Sequence, residues 1–355
     1  MSNGHTPEVV VITGASAGVG RATARAFARR GAYLGLIARG RGGREGARRD
    51  VEEAGGRALV LPLDVADPEA VEAAAAAVER EFGPIDIWVN AAMVTVFSPV
   101  QQMTPEEYRR VTEVTYLGYV HGTLAALRRM LPRDRGTIVQ VGSAMAYRSI
   151  PLQSAYCAAK AAIRGFTDSL RCELIHDKSH VHITMVQLPG LNTPQFEWGK
   201  SRMPRHARPV APVYQPEVAA KAIVWAAHHR RRELWVGLTT VETILAQRIA
   251  PGFGDWYGAK TAYSGQQMDE PANPSRAHNL WEPLDHDGDF GAHGRFDREA
   301  RRHSLQLWAS KYRGWLALAA GIMGLTCGAW LVQQRARKRP LRMASDLVRL
   351  LPPVG

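Results

Sequence analysis

Val9-Val10-Val11-Ile12-Thr13-Gly14-Ala15-Ser16-Ala17-Gly18-Val19-Gly20 decides the fold. Four β-branched residues make a short strand, and the glycines follow just before an Ala-rich helical stretch, Gly20–Arg30. A Gly-rich turn between strand and helix lets backbone N–H groups and the helix N-terminus approach a diphosphate without obstruction by Cβ atoms. A tight turn that needs glycine for its own sake would read the same way. The context favours the nucleotide.

Working outward, short apolar runs recur at Tyr33–Ile37, Ala58–Leu63, Ile85–Val89, Thr137–Val141, Val181–Leu188 and Leu234–Val236. Longer periodic segments lie between them, at Pro68–Phe82, Pro105–Met130, Ser154–His176 and Pro216–Arg230. Near-continuous apolar strands alternating with helices predict an α/β protein whose parallel sheet is covered on both faces. The pattern changes after Thr239: Thr239–Ala250 reads as one more helix, and Pro251–Tyr263 is rich in Gly and aromatics. We therefore expect a nucleotide-binding domain over residues 1–263, a polar linker over 264–307 and a separate tail over 308–355.

Composition narrows the class. The 355 residues are 46% hydrophobic and 22% charged, enough to bury a core. Three cysteines form no disulfide framework, and no Cys/His spacing resembles a zinc site. His278, His286 and His293 are irregularly spaced in the expected linker and read as solvated. The N-terminus lacks the basic start and long apolar core of a signal peptide, so the body of the protein is expected in the cytosol. The net charge of +12 is spread over helix-like segments, apart from Arg335, Arg337, Lys338, Arg339 and Arg342. No nucleic-acid motif accompanies it, and nucleic acid is not expected as a partner.

The second strand ends Ile37-Ala38-Arg39-Gly40-Arg41, without the acid that reads an NAD ribose 2′-hydroxyl. Arg39 suits a 2′-phosphate, which favours NADP over NAD. Tyr156 and Lys160 stand four apart on a helical stretch, hence on one face. A phenol titrates near pH 10, too high for acid–base work at neutrality unless a neighbouring ammonium stabilises its phenolate. Ser143 follows the Thr137–Val141 strand, at the carboxyl end where open α/β sheets place ligands, and its hydroxyl suits a substrate oxygen.

With these residues the chain resembles the short-chain dehydrogenase/reductase family over about residues 7–240. The matching motifs are Thr13-Gly14-x-x-x-Gly18-x-Gly20, Asp64-Val65, Asn90-Ala91-Ala92 and Ser143…Tyr156-x-x-x-Lys160. The resemblance implies a Rossmann-type doubly wound fold, NAD(P) binding, and carbonyl reduction or alcohol oxidation. On it, Tyr156 is the general acid/base, Lys160 binds the nicotinamide ribose and lowers the tyrosine pKa, and Ser143 polarises the carbonyl. Gly14, Ser16, Gly18, Val19 and Gly20 would cradle the cofactor, with Asp64 and Val65 by the adenine and Asn90 by the adenosine end. Three positions depart from the family pattern. Ala92 replaces its glycine, Thr115 replaces the Asn of a proton relay, and Thr193, an expected nicotinamide contact, comes one residue early.

Gln195–Tyr214, with Phe196, Trp198 and Met203, reads as a partly apolar substrate lid. Gly314–Gln334 carries no charge, and its Trp315–Val332 stretch is long enough to span a bilayer. Trp315 and Trp330 flank it as interfacial aromatics do, and basic residues follow. Ala320, Gly324 and Gly328 repeat at four, which Ala/Gly composition accounts for; a homo-oligomer stays open. The expectation is an NADP(H)-dependent oxidoreductase for a small lipophilic carbonyl or alcohol, anchored to membrane lipid with its catalytic domain in the cytosol. The alternative is a non-catalytic nucleotide-binding sensor or membrane scaffold on the same fold.

Overall fold

The computed structural model describes residues 6–273, 275–285 and 288–338. Seven parallel strands form the central sheet: β1 (Val9–Thr13), β2 (Tyr33–Ala38), β3 (Arg57–Pro62), β4 (Ile87–Asn90), β5 (Thr137–Val141), β6 (His182–Gln187) and β7 (Glu233–Trp235). Their spatial order is β7-β6-β5-β4-β1-β2-β3, a doubly wound arrangement that reverses direction at β1. Val10 and Ile12 of β1 pair with Ile87 and Val89 of β4, and Val11 pairs with Gly35 of β2. All five residues of β1 are buried, because helices cover both faces of the sheet.

One face carries α1 (Gly18–Ala28), α2 (Arg41–Glu53) and, later in the chain, Pro216–Ala227; their Phe27, Val51, Ala219 and Ile223 pack against Val10, Ile12 and Leu34. The other face carries α3 (Pro68–Phe82), α4 (Pro105–Thr112), α5 (Gly118–Met130) and α6 (Ser154–His176), with Val78, Ala126 and Leu170 on Val11 and Ile138. The stretch Pro105–Met130, expected as one helix, is broken by a π turn at Glu113–Leu117. After α7 (Pro216–Ala227) come α8 (Leu238–Ile249) and α9 (Pro251–Gly265). The last of these is helical where the sequence read as irregular, and none of its residues is buried.

The largest departure from expectation is residues 264–307, which do not form an exposed linker. Gln267–Pro271 pairs antiparallel with Arg205–Ala207, and Leu280, Asp285, Ala292 and Phe296 are buried. Backbone bonds tie the segment to the domain, with Gly42 N donating to Asp285 O (3.1 Å) and Gly18 N to Gly291 O (3.1 Å). Few apolar residues are present; Leu280, Ala292, Phe296 and Leu307 are buried, while Trp281, Phe290 and Leu305 stay exposed. The chain divides into compact units of residues 1–307 and 308–355. The boundary falls within α10 (Leu305–Lys311), which is followed in the second unit by α11 (Arg313–Lys338). Of the basic cluster, Arg339 and Arg342 lie outside the described residues, as does His286.

Glu107 shows how the fold fixes the expected lid. It completes a capping box with Thr104 at the start of α4, and its carboxylate also takes Arg202 (2.7 Å) and Lys200 (2.7 Å) from the Gln195–Tyr214 segment. Burial pushes the carboxyl up, but the hydrogen bonds from Arg202 and Lys200 outweigh it and hold it down to about 2. A depressed carboxylate contributes stability above its unfolded pKa of roughly 4.5 and loses it as pH falls towards 2. Glu107→Gln is therefore expected to cost about 2 kcal/mol at pH 7, allowing for the partial exposure of both cations, and almost nothing at pH 2. Urea midpoints at the two pH values check this; an equal cost at both would assign the effect to packing.

Candidate functional site

A cavity of about 540 Å³ opens at the carboxyl ends of the strands, at the point where the sheet changes direction. Its size and partly apolar lining suit a ligand pocket. The turn after β1 forms its floor. Gly14 and Gly18 have φ of 70° and 54°, a backbone conformation that L side chains rarely adopt. At Gly20 a Cβ atom would stand 2.1 Å from Gly14 O, so only glycine permits the turn to close. The N-terminus of α1 has no side-chain cap, and its first N–H, that of Gly18, donates to Gly291 O (3.1 Å). The cradle is what a diphosphate requires. Of the expected contacts, Gly14, Ser16, Gly18, Val19, Gly20, Arg39, Asp64, Val65 and Thr193 line the same cavity as Ser143, Tyr156 and Lys160.

Asn90 does not join them. Its side chain is fully buried, donating to Gln140 Oε1 (2.9 Å) and Thr123 Oγ1 (3.2 Å) and accepting from Trp88 Nε1 (2.8 Å). This network ties β4 to β5 and α5, beneath the cavity floor. The residues after Asn90 do reach the cavity, and Thr13 Oγ1 holds them by accepting from Ala91 N and Ala92 N. The Ala92 Cα also stands 2.7 Å from where a Gly14 Cβ would lie, so this close approach of the two loops needs glycine at position 14.

The catalytic candidates meet at the inner wall. Ser143 Oγ accepts from Met145 N (3.2 Å), which turns the hydroxyl at the end of β5, and its proximity works to lower the Tyr156 phenol. Lys160 Nζ lies 5.6 Å from the Tyr156 ring centroid. It donates to Val141 O (2.8 Å) and to Tyr119 Oη (2.9 Å), two of the ammonium's three N–H bonds. Burial lowers Lys160 to about 7 and pushes Tyr156 well above the usual phenol range, with Ser143 opposing the latter only in part. The side chains present thus hold Tyr156 as the neutral phenol: burial raises it, only Ser143 opposes, and the lowering expected from Lys160 does not show.

At the adenosine end, Asp64 pairs with Arg110 and lies 3.8 Å from Arg39. Arg39 is committed in a way the sequence did not suggest. Its Nη1 and Nη2 donate to Trp281 O and Asn279 O at 2.7 Å each. The strap that supplies these carbonyls walls the cavity with Asn279, Pro283, Leu284 and Asp285. Asp285 is buried, caps Gly43 N at 2.8 Å with Oδ2, and leaves Oδ1 without a partner. The substrate side also differs from expectation. Phe196 and Met203 are anchored in a small core with Phe97 and Phe296, so the Gln195–Tyr214 segment is a fixed wall. Thr239, Thr243 and Tyr257 from α8 and α9 complete the mouth, and Arg148 holds α9 through Asp255 (2.8 Å).

Among known proteins, the profile of the short chain dehydrogenase family matches residues 8–201. The Uncharacterized oxidoreductase YxnA of Bacillus subtilis is 31% identical over 334 residues, 93% of this chain and 91% of the relative. The 3beta-hydroxysteroid dehydrogenase 1 of Eggerthella lenta is 32% identical over 69% of this chain and 95% of its own. Human dehydrogenase/reductase SDR family member 7 is 41% identical over 173 residues, about half of each protein. A crystal structure of a metagenomic short-chain oxidoreductase in complex with NADP superposes with a TM-score of 0.55 and 26% identity, covering 64% of this chain and 96% of that one.

Proposed function

Because the chain belongs to the short-chain dehydrogenase/reductase family, we propose that it is an NADP(H)-dependent enzyme reducing a lipophilic carbonyl or oxidising the corresponding secondary alcohol. One observation carries the reading: a single cavity joins a diphosphate-shaped turn to Ser143, Tyr156 and Lys160. The solved NADP complex of a relative and the basic Arg39 support NADP as the cofactor. An apolar lining of Val94, Val114, Ile150 and Phe196 supports a lipophilic substrate.

When bound, NADPH supplies the hydride. Gly14, Gly18 and Gly20 would hold its diphosphate, Arg39 its 2′-phosphate, and the remaining N–H of Lys160 a ribose hydroxyl. Ser143 orients the substrate oxygen through its hydroxyl, while Tyr156 presents its phenolic proton to that oxygen. A phenol kept neutral by burial is ready to act as an acid, and oxygen basicity rising as the carbonyl is reduced draws the proton across. The protonated phenol of the free site is the form that reduction requires. NADPH consumption across a panel of lipophilic aldehydes and ketones tests the reading; tight NADPH binding with no turnover on any of them, or on the matching alcohols with NADP, would contradict it.

The second unit supports a membrane anchor. Arg313–Gln334, within α11, has a mean hydropathy of 1.8 and at ~1.5 Å per residue reaches ~33 Å, near the hydrocarbon thickness. By length and composition it is able to cross a membrane. Full-length protein is expected to remain in the pellet through carbonate and high-salt washes. A chain ending at Leu307, where the first unit closes, should be soluble and still reduce a carbonyl. Full-length protein that is soluble without detergent would remove the anchor.

A further inference from the structure

The family's relay Asn is Thr115 here, and the structure shows that Thr115 has no hydroxyl to spare. Its Oγ1 donates to Val94 O (2.9 Å) and accepts from Val94 N (3.0 Å), pinning the loop after β4 to the π turn. The group that does reach the catalytic lysine comes one turn later. Tyr119 is buried, and its phenolic oxygen accepts from Lys160 Nζ (2.9 Å) while donating to Val141 O (3.0 Å). Since Lys160 also donates to Val141 O (2.8 Å), the ammonium, the phenol and the carbonyl close a triangle. The Tyr119 ring also stands 4.6 Å from Nζ.

An ammonium removed from water must be solvated by the protein or lose its proton. Among the described residues no carboxylate pairs with Lys160. The titratable groups that face it are Tyr119 from α5 and Tyr156 from its own helix, and the Val141 carbonyl completes the shell. A tyrosine was not required for packing there, because phenylalanine would fill the same volume. Its hydroxyl is the feature to be explained.

We propose that Tyr119 is a positioning residue that keeps Lys160 charged and aimed at the reacting end of the cavity. This rests on the proposed function, since it assigns Lys160 its catalytic task. Tyr119 is not a relay, as its one proton is committed to Val141 O. Two of the three lysine N–H bonds are thereby fixed, which sets the direction of the third.

The test uses the full-length protein in detergent and Tyr119→Phe. Biosynthetic labelling with ε-carbon-13 lysine follows the Lys160 titration by NMR, with the resonance assigned through Lys160→Met. Removing one of two acceptors is expected to lower the Lys160 midpoint by about one pH unit, the scale of a hydrogen bond to a charged group. Turnover at pH 7 should fall about fivefold, and the pH–rate profile should shift to lower pH by about one unit. In a Lys160→Ala background, Tyr119→Phe should have no further effect. An unchanged Lys160 midpoint, or a loss that persists in the Lys160→Ala background, would overturn the assignment. Tyr119→Met repeats both arms if the phenylalanine variant does not fold. Absence of NADPH-dependent turnover in the wild type would sink the proposed function instead, and the NMR arm would still decide Tyr119.

Discussion

Tyr156→Phe is expected to lower turnover ~10²–10⁴-fold while NADPH binding changes little, because the lost hydroxyl acts on the substrate oxygen and not on the dinucleotide. The structure gives this prediction its shape. Tyr156 is deep in the cavity wall with Ser143, its proton held by burial. Removing the oxygen leaves Ser143 and Lys160 where they are, since Lys160 is held by Tyr119 and Val141. Binding measured by NADPH fluorescence should stay within about threefold. A variant with near-normal rate would mean that the proton comes from elsewhere, and one that loses NADPH would mean that Tyr156 is a binding residue.

Arg39→Ala is expected to weaken NADPH by ~1.5–3 kcal/mol, about 10- to 150-fold, with NADH affected within about threefold. The strap sharpens this expectation. Arg39 already donates to Asn279 O and Trp281 O, so the substitution also releases a wall of the adenosine side. Were the arginine only a latch for that wall, both cofactors would weaken together. A selective loss assigns it to the 2′-phosphate. Titration of both cofactors into wild-type and variant protein separates the two outcomes, and a native preference for NADH would contradict the assignment outright.

What the sequence made legible was local. The Gly-rich turn is written in consecutive residues, and Tyr156 with Lys160 in one helical step, so neither needed long-range pairing to be read. The same holds for the strands, whose apolar runs are continuous because both faces are covered. Residues 264–307 were misread because their anchoring is non-local. Arg39 meets carbonyls some 240 residues away, and Gly43 N meets Asp285 across a similar separation. Backbone carbonyls leave no trace in composition, and a Pro/Gly/Asp-rich segment reads as a linker whether or not it is tied down. Asn90 was placed at the cofactor by resemblance, whereas its buried network is visible only once Gln140 and Thr123 are brought beside it. Pro251–Gly265 carries four glycines and no buried residue, so it had no apolar stripe to announce a helix. Tyr119 meets Lys160 across 41 residues, and only the fold brings its hydroxyl to the lysine.

The central claim is that the cavity holds NADPH and a carbonyl together with Tyr156 as the proton donor. Its most direct test is single-turnover reaction of the full-length protein with NADPH deuterated at the transferable position and a panel of lipophilic ketones, with products read by mass spectrometry. The account predicts an alcohol one mass unit heavier, formed with NADPH in preference to NADH and reduced at least ~10²-fold in rate by Tyr156→Phe. Bound NADPH that never passes its label to any carbonyl, or label transfer that Tyr156→Phe leaves intact, would contradict it.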